Sequence, residues 1–304
     1  MINFKKNGLI IKPKDVPWVN THLWVPTAYK LNENRIVVFF AGRNYENESD
    51  TGYFVYDISI KKVIKISKKP VLTRGDLGSF DDSAAIPSHV IKVGKKYLMY
   101  YVGWTQGKKV PFFSSIGLAT SKNIYGPYKK ISRAPIIGKT NEDPFFVATC
   151  FIEKKKNFFE MYYTSNLGWK KKKENSFPLY LIKKCISSNG INWQLNKSKI
   201  INFMNKDEVA ITRPWIIEHK KEKIMFFSCK KKYYKILTAV INKKNDNWVR
   251  KLKISFSNKL NNSFDSRSQE YSSIIKMKQK YYMFYNGNNY GKDGIGLAIS
   301  NEQK

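Results

Sequence analysis

Apolar and polar positions along this chain fall into short runs that recur with a long period. Five apolar runs end in a pair of aromatic residues: Val38, Phe39 and Phe40; Met99, Tyr100 and Tyr101; Met161, Tyr162 and Tyr163; Met225, Phe226 and Phe227; Met283, Phe284 and Tyr285. Their last residues stand at positions 40, 101, 163, 227 and 285, between 58 and 64 residues apart. Around each run the order is the same: a polar loop, an apolar strand, a Lys- or Asn-rich turn, the aromatic strand, and a further hairpin strand. The pattern predicts first strands over 25–31, 84–93, 147–153, 211–218 and 271–277, and third strands over 52–58, 116–121, 179–187, 234–241 and 295–300. Ser187, Ser188, Asn189 and Gly190, and again Gly287, Asn288 and Asn289, carry tight-turn chemistry. No helix-period segment interrupts the strands. Radial repetition of small sheets is the way such a repeat buries its aromatic faces. The expected fold is therefore all-β: a five-bladed β-propeller, one domain over 1–304, with blades of about four antiparallel strands. The segment 9–11 is expected to lend a strand to the last blade and so cover a free edge.

Composition changes this picture little. The chain has 304 residues, 55 Lys and Arg against 23 Asp and Glu, a net charge of +32 and a pI near 9.9. Such charge raises nucleic acid as a partner, but only seven of the basic residues are Arg, and base readout and bidentate phosphate clamping favour Arg over Lys. The lysines cluster at the expected hairpin tips, for example Lys154 to Lys156 and Lys170 to Lys173, which reads as a solvated face. A nucleic-acid partner is not expected, while an anionic substrate such as a phosphorylated or nucleotide-linked sugar fits the charge. No run of eighteen apolar residues predicts a membrane span, and the N-terminus lacks the apolar stretch of a secretory signal. Cys150, Cys185 and Cys229 show no metal-ligand spacing and read as buried thiols of a reducing, cytoplasmic compartment.

The candidate chemistry lies at the entrances to the first strands, which in a propeller rim the central cavity. Those entrances hold His22, then Asp81 and Asp82, Asp143, Glu208 with Arg213, and Glu270 with Tyr271. Carboxylates crowded into one concave site push each other's pKa values apart, which lets an acid and a base coexist near neutrality. A second ring, following the aromatic strands, holds Arg43, Trp104, Trp169, Asn286 and Asn288. Aromatic faces with Arg, Asn and carboxylate hydrogen-bonders are what a sugar's C–H face and hydroxyls require. His22, Arg43, Asp81, Trp104, Trp169, Arg213, Tyr271, Asn286 and Asn288 are the expected substrate-binding residues, with Arg43 and Arg213 suited to a carboxylate or phosphate. No metal site or cofactor is expected, an axial calcium among the carboxylates being the one option.

Four stretches carry a resemblance. Gly78 to Ser88 (GSFDDSAAIPS), Tyr100 to Trp104 (YYVGW), Val110 to Phe112 together with Ile116 to Ala119, and Met283 to Gly291 (MFYNGNNYG) resemble a group of bacterial proteins related to glycoside hydrolases. These share the five-bladed propeller of the glycoside hydrolase family 32, 43, 62 and 68 superfamily and often come from surface-polysaccharide gene clusters. The resemblance covers about residues 22 to 300. It implies three acids from different blades, falling here on Asp82 or Asp81, Asp143 and Glu208. It also implies an Asp at the entrance of the first blade, where this chain has His22. The expected assignment is Glu208 as general acid and Asp82 as base or nucleophile, with Asp143 and Glu270 tuning pKa or binding hydroxyls. The expected function is a sugar-active enzyme of glycoside-hydrolase type, acting on a carbohydrate or activated sugar in surface-glycan or nucleotide-sugar metabolism. Two alternatives stay open: a glycoside phosphorylase or glycosyltransferase, and a glycan-binding propeller without catalysis.

Overall fold

The computed structural model describes residues 2–300 apart from 173–174, 197, 243–246, 252–254 and 257–262. After an N-terminal strand β1 (Asn3–Ile11), strands follow in consecutive antiparallel meanders. The first comprises β2 (His22–Lys30), β3 (Arg35–Arg43), β4 (Ser49–Asp57) and β5 (Lys62–Ile66). The second comprises β6 (Ala84–Val93), β7 (Lys96–Gln106), β8 (Phe112–Ser121) and β9 (Lys129–Lys130). The third holds β10 (Val147–Lys154), β11 (Phe159–Lys172), β12 (Asn175–Ser187) and β13 (Lys199–Ile201). The fourth holds β14 (Ala210–His219), β15 (Glu222–Lys230), β16 (Tyr234–Asn242) and β17 (Asn247–Lys251). A short strand β18 (Ser255–Phe256) precedes β19 (Glu270–Met277), β20 (Lys280–Asn286) and β21 (Ile295–Ser300). Among the described residues the only helical segments are two short 3-10 turns, Pro13–Asp15 and Asn288–Gly291. The all-β expectation and the strand positions thus hold to within a few residues.

The aromatic runs form the second strand of every meander, and their burial explains the repeat. Phe40, Tyr101, Tyr163, Phe227 and Tyr285 are wholly buried, as are the residues just before them or nearly so. Strands covered on both faces read as continuous apolar runs and not as alternation. The clusters that bury them join neighbours: Phe39 with Tyr101, Tyr100 with Tyr163, Phe226 with Met283, and Phe40 with Phe284. The last of these brings the fifth meander against the first.

Two further ties join the ends of the chain. Strand β1 pairs antiparallel with β21, with Leu9 opposite Gly296 and Ile11 opposite Ile295, as expected for an N-terminal strand completing the last meander. Asn286, at the end of β20, accepts from the Val25 N–H at 2.9 Å and donates to the Leu23 carbonyl at 2.8 Å and the Gly294 carbonyl at 2.9 Å. Each first strand also carries a bulge near its start: between Trp24 and Thr27, Pro87 and His89, Val147 and Cys150, Thr212 and Trp215, and Glu270 and Ser273. Three bulges hold a non-glycine residue in the left-handed region: Val25 (φ 52°), Arg213 (φ 57°) and Tyr271 (φ 55°). A bulge re-aims side chains locally, and here it shapes the ground on which the five first strands meet.

Asn286→Ala strips partners from a buried N–H and a buried carbonyl of β2, each worth about 1–3 kcal/mol when left unmet. The expected result is a loss of roughly 2–4 kcal/mol in urea unfolding with the slope unchanged. A loss below about 0.5 kcal/mol would mean that this tie does not hold the first meander to the last.

Candidate functional site

The acids of the strand entrances do not converge on a cavity; most are spent inside the meanders. Asp143 is fully buried. It accepts from the Tyr163 hydroxyl at 2.8 Å and from the Ser165 hydroxyl, and pairs with Lys183 at 2.8 Å. Asp81 accepts from the Tyr101 hydroxyl at 2.9 Å and from Ser79 at 3.0 Å, and pairs with Lys130 at 2.6 Å. Asp265, which the sequence reading passed over, repeats the device in the fifth meander, with the Tyr285 hydroxyl at 2.8 Å and Lys6 of β1 at 2.7 Å. In all three the carboxylate precedes its tyrosine by 20 residues, a spacing that would have revealed Asp265. In the fourth meander Phe227 lacks a hydroxyl. Glu208 instead takes two hydrogen bonds from Arg250, at 2.7 and 2.9 Å, and one from the Met204 N–H at 2.9 Å. Burial works against the Glu208 anion, but these bonds win and hold its carboxyl below the usual range. In the first meander Trp18 stacks on Phe40 at 5.9 Å.

The expected roles of Asp81, Asp143 and Glu208 therefore do not match their surroundings, since each is a buried partner of a cation and is held by further protein donors. Asp82 is half-buried and caps its own loop, accepting from the Gly78 N–H at 3.0 Å and the Ser83 hydroxyl at 2.8 Å. Arg213 is also fully buried, donating to the Ser88 carbonyl (2.7 Å), the Pro26 carbonyl (2.6 Å) and the Thr27 hydroxyl (2.9 Å). It ties three first strands together and has no open side for a substrate anion. Asn286 likewise uses its amide for the β20–β2 tie described above, and Asn288 organises a turn by accepting from the Arg267 and Ser268 N–H groups.

What the five first strands do enclose is a cavity of about 370 Å³. Trp24 and Val25 of β2, Ile86 of β6, Ala148 and Thr149 of β10, Ala210 and Thr212 of β14, and Tyr271 of β19 all reach it. Trp104 and Phe112 of the second meander, Phe146, Tyr180 and Tyr234 supply further aromatic wall. At one side Thr149, Thr164 and Thr212 bond to one another through their hydroxyls at 2.9 to 3.3 Å. Two cations face in, Arg43 and Lys230. Arg43 lies over the Trp24 ring at 4.4 Å with its Nε buried and unpartnered, and burial lowers its pKa. None of the described lining residues is acidic.

Of the expected binding residues, Arg43, Trp104 and Tyr271 line this cavity. Trp169 stands behind the wall, against Phe112 at 5.5 Å and Phe146 at 5.6 Å. His22 lies opposite Arg43 across the β2–β3 ladder, its Nδ1 buried without a partner. Burial first, then Arg43 and Lys292, lower its pKa to about 4, so the ring is neutral at pH 7. Trp24, Lys230 and Tyr234 were missed, because nothing local in the sequence sets them apart from packing or hairpin residues. Among the described residues no three His, Cys, Asp or Glu side chains are grouped to hold a metal. No described helix is long and apolar enough to cross a membrane.

Glu270 has a different setting from the other three proposed catalytic acids. It is buried, its Oε1 accepts from the Tyr290 N–H at 3.1 Å, and its Oε2 has no partner. Burial raises its pKa to about 8 against the opposing effects of the Tyr290 N–H and Lys230. It lines a second, smaller cavity that shares Lys230, Tyr234 and Tyr290 with the central one.

No protein-family model matches the chain. Its sequence is 26% identical over 298 residues to Uncharacterized protein Rv1502 of Mycobacterium tuberculosis (strain H37Rv), covering 97% of this chain and 98% of that one. In fold it is similar to a solved structure titled "Glycoside hydrolase", with a TM-score of 0.78, 16% identity, and 99% and 93% of the two chains covered. A structure from a study of the GH130 family of mannoside phosphorylases superposes with a TM-score of 0.72 at 17% identity, covering 98% and 93%. A thermostable family-43 glycoside hydrolase gives 0.64 at 15%, covering 95% and 92%. The chain thus has a glycoside-hydrolase-like fold.

Removing one partner of a buried ion pair strands the other, at about 3–5 kcal/mol. Asp143→Ala is expected to lose that much in denaturant unfolding, and adding Lys183→Met is expected to recover more than half of it. A single variant within 1 kcal/mol of the parent would return Asp143 to the candidates for catalysis.

Proposed function

We propose that this protein is a sugar-active enzyme of glycoside-hydrolase type, that its five meanders are the blades of a single-domain five-bladed propeller, and that the central cavity takes the saccharide. The observation that carries this is the cavity itself: aromatic faces from several meanders, a patch of hydroxyls, and two cations. Aromatic rings receive the apolar face of a sugar and polar groups fix its hydroxyls. The similarity in fold to glycoside hydrolases supports the same reading.

The charge of the cavity favours one type of glycosyl transfer over another. Hydrolysis uses two carboxylates, one to protonate the leaving oxygen and one to activate water or attack the sugar. Here the lining offers Arg43 and Lys230 and no described acid, so water finds no base. An anionic acceptor such as phosphate is already nucleophilic and is drawn in by the cations. A phosphate oxygen forms the new bond to the anomeric carbon as the glycosidic bond breaks. Glu270 lies outside that lining, at the neighbouring cavity that meets it at Lys230, Tyr234 and Tyr290; it keeps its proton up to about pH 8 and is the acid we assign to the leaving oxygen, and the proton of the attacking HPO₄²⁻ then restores it. A general acid poised near the working pH is the efficient arrangement. The buried, reducing-type thiols Cys150, Cys185 and Cys229 fit a cytoplasmic setting, and surface-glycan or nucleotide-sugar metabolism is the process we infer.

A second reading, a glycan-binding protein without turnover, is favoured by one observation: Asp81, Asp143 and Glu208 are all committed to internal ion pairs. A panel of glycosides incubated with and without inorganic phosphate separates the two. The expected result is a sugar phosphate product that appears only with phosphate. Trp104→Ala should weaken saccharide binding at least tenfold, and Glu270→Gln should retain binding while losing about 100-fold or more in turnover. Equal turnover in phosphate-free buffer would contradict the anionic acceptor, and binding without any turnover would establish the second reading.

A further inference from the structure

The second cavity, about 180 Å³, is lined by Lys230, Lys232 and Arg267 together with Glu270 and Ser268. The three cations come from three places: the end of β15, the β15–β16 turn, and the loop before β19. None of the three has a carboxylate within ion-pair distance among the described residues. Lys230 donates to the Tyr290 hydroxyl at 2.8 Å and lies over the Tyr234 ring at 5.3 Å. Lys232 and Arg267 both lie over the Tyr233 ring, at 5.5 and 5.9 Å. This is unlike the buried cations of the meanders, where Lys6, Lys130, Lys183 and Arg250 each meet a carboxylate. The loop bearing Arg267 is fixed from below, because the Asn288 side chain accepts from the Arg267 N–H at 3.0 Å and the Ser268 N–H at 2.9 Å.

The independent observation is Glu270. Its Oε2 is buried and unmatched at the wall of this cavity. Buried polar atoms are normally satisfied, and one that is not points to a missing partner. We propose that this second cavity is a phosphoryl-group subsite, opening beside the saccharide cavity at Lys230, Tyr234 and Tyr290, with Lys230, Lys232 and Arg267 compensating the charge and Glu270 facing the bound anion. The proposal rests on the saccharide reading of the central cavity for its second ligand but not for the anion itself. Three cations around a concave pocket suit a dianion. A carboxylate in the same pocket would oppose it, but the Glu270 carboxyl is uncharged at neutral pH because burial keeps its proton on. The groups facing it are Lys230 on β15, Tyr234 on β16, its neighbour Tyr271, and Tyr290 after β20. The lysine favours the anion, while burial raises both Tyr234 and Tyr271 far above their usual values, so Glu270 ionises before either of these tyrosines as pH rises.

The phosphoryl group has two sources, free phosphate or a phosphate ester on the sugar, and calorimetry on the full chain tells them apart. Inorganic phosphate is expected to bind, and Lys232→Ala with Arg267→Ala should weaken it at least tenfold while a neutral monosaccharide binds the central cavity unchanged. Between pH 7 and 9 the parent should lose about tenfold in phosphate affinity as Glu270 ionises, one unit past its midpoint. Glu270→Gln, which cannot ionise, should show no such loss over that range. If phosphate tightens the binding of a neutral sugar, free phosphate is the natural occupant. If a sugar monophosphate binds far more tightly than either part, the ester is. Phosphate bound without any affinity for saccharide would leave the subsite standing and remove the saccharide reading. Phosphate affinity unaltered by the double variant, or absent in the folded parent at 10 mM phosphate on the order of a weak ligand's range, overturns the proposal.

Discussion

A buried carboxylate held by a tyrosine hydroxyl and a cation is the interaction on which this architecture turns. Asp81 with Tyr101 and Lys130, Asp143 with Tyr163 and Lys183, and Asp265 with Tyr285 and Lys6 pin the loop entering a first strand to the aromatic second strand. In two of the three the cation comes from an outer strand, so the clamp spans the width of the meander: β9 in the second, β1 in the fifth. A charge taken out of water is tolerable only with its partners in place, and each clamp therefore specifies one arrangement of loop and strands. Glu208 with Arg250 does the same where Phe227 cannot donate. With the loops fixed, the first strands are free to bulge toward one another and leave a cavity of defined shape.

That division of labour separates the charges of the molecule by task. The acids near the strand entrances neutralise cations within the fold, which leaves Arg43 and Lys230 as the charges of the central cavity and Lys232 and Arg267 as those of its neighbour. Arg213 adds a cation that no carboxylate pairs among the described residues, held by carbonyls and a hydroxyl of β2 and β6 with its Nε unpartnered. Burial lowers its pKa to about 9, and its backbone N–H donates to the Thr149 hydroxyl at 3.1 Å. The hydroxyl patch at one side of the central cavity is thus tied into a structural hydrogen-bond system, and in the proposed function the aromatic walls carry the recognition.

Much of the fold was legible in the sequence because the aromatic second strands are buried on both faces, and that condition writes the same apolar run five times. The strands at 84–93 and 295–300 were placed to the residue and the others to within a few, and the N-terminal strand was placed in the last meander, beside β21. The site was less legible for a physical reason. A carboxylate before a strand looks the same in sequence whether it faces a cavity or a lysine far along the chain, as Asp81 faces Lys130 and Asp143 faces Lys183. Trp104, Tyr271 and Arg43 were found because they sit at repeat-equivalent positions near strand ends. Lys230 and Tyr234 were not, because they belong to a hairpin turn that only the three-dimensional convergence of the fourth and fifth meanders turns inward.

A crystal structure of the protein soaked with a sugar monophosphate tests the account most directly. Expected are a saccharide ring lying against Trp104 and Tyr271 in the central cavity, a phosphoryl group among Lys230, Lys232 and Arg267, and the Asp143–Lys183 and Glu208–Arg250 pairs intact. A ligand seated instead against Asp82, Asp143 or Glu208, with those ion pairs opened, would contradict it.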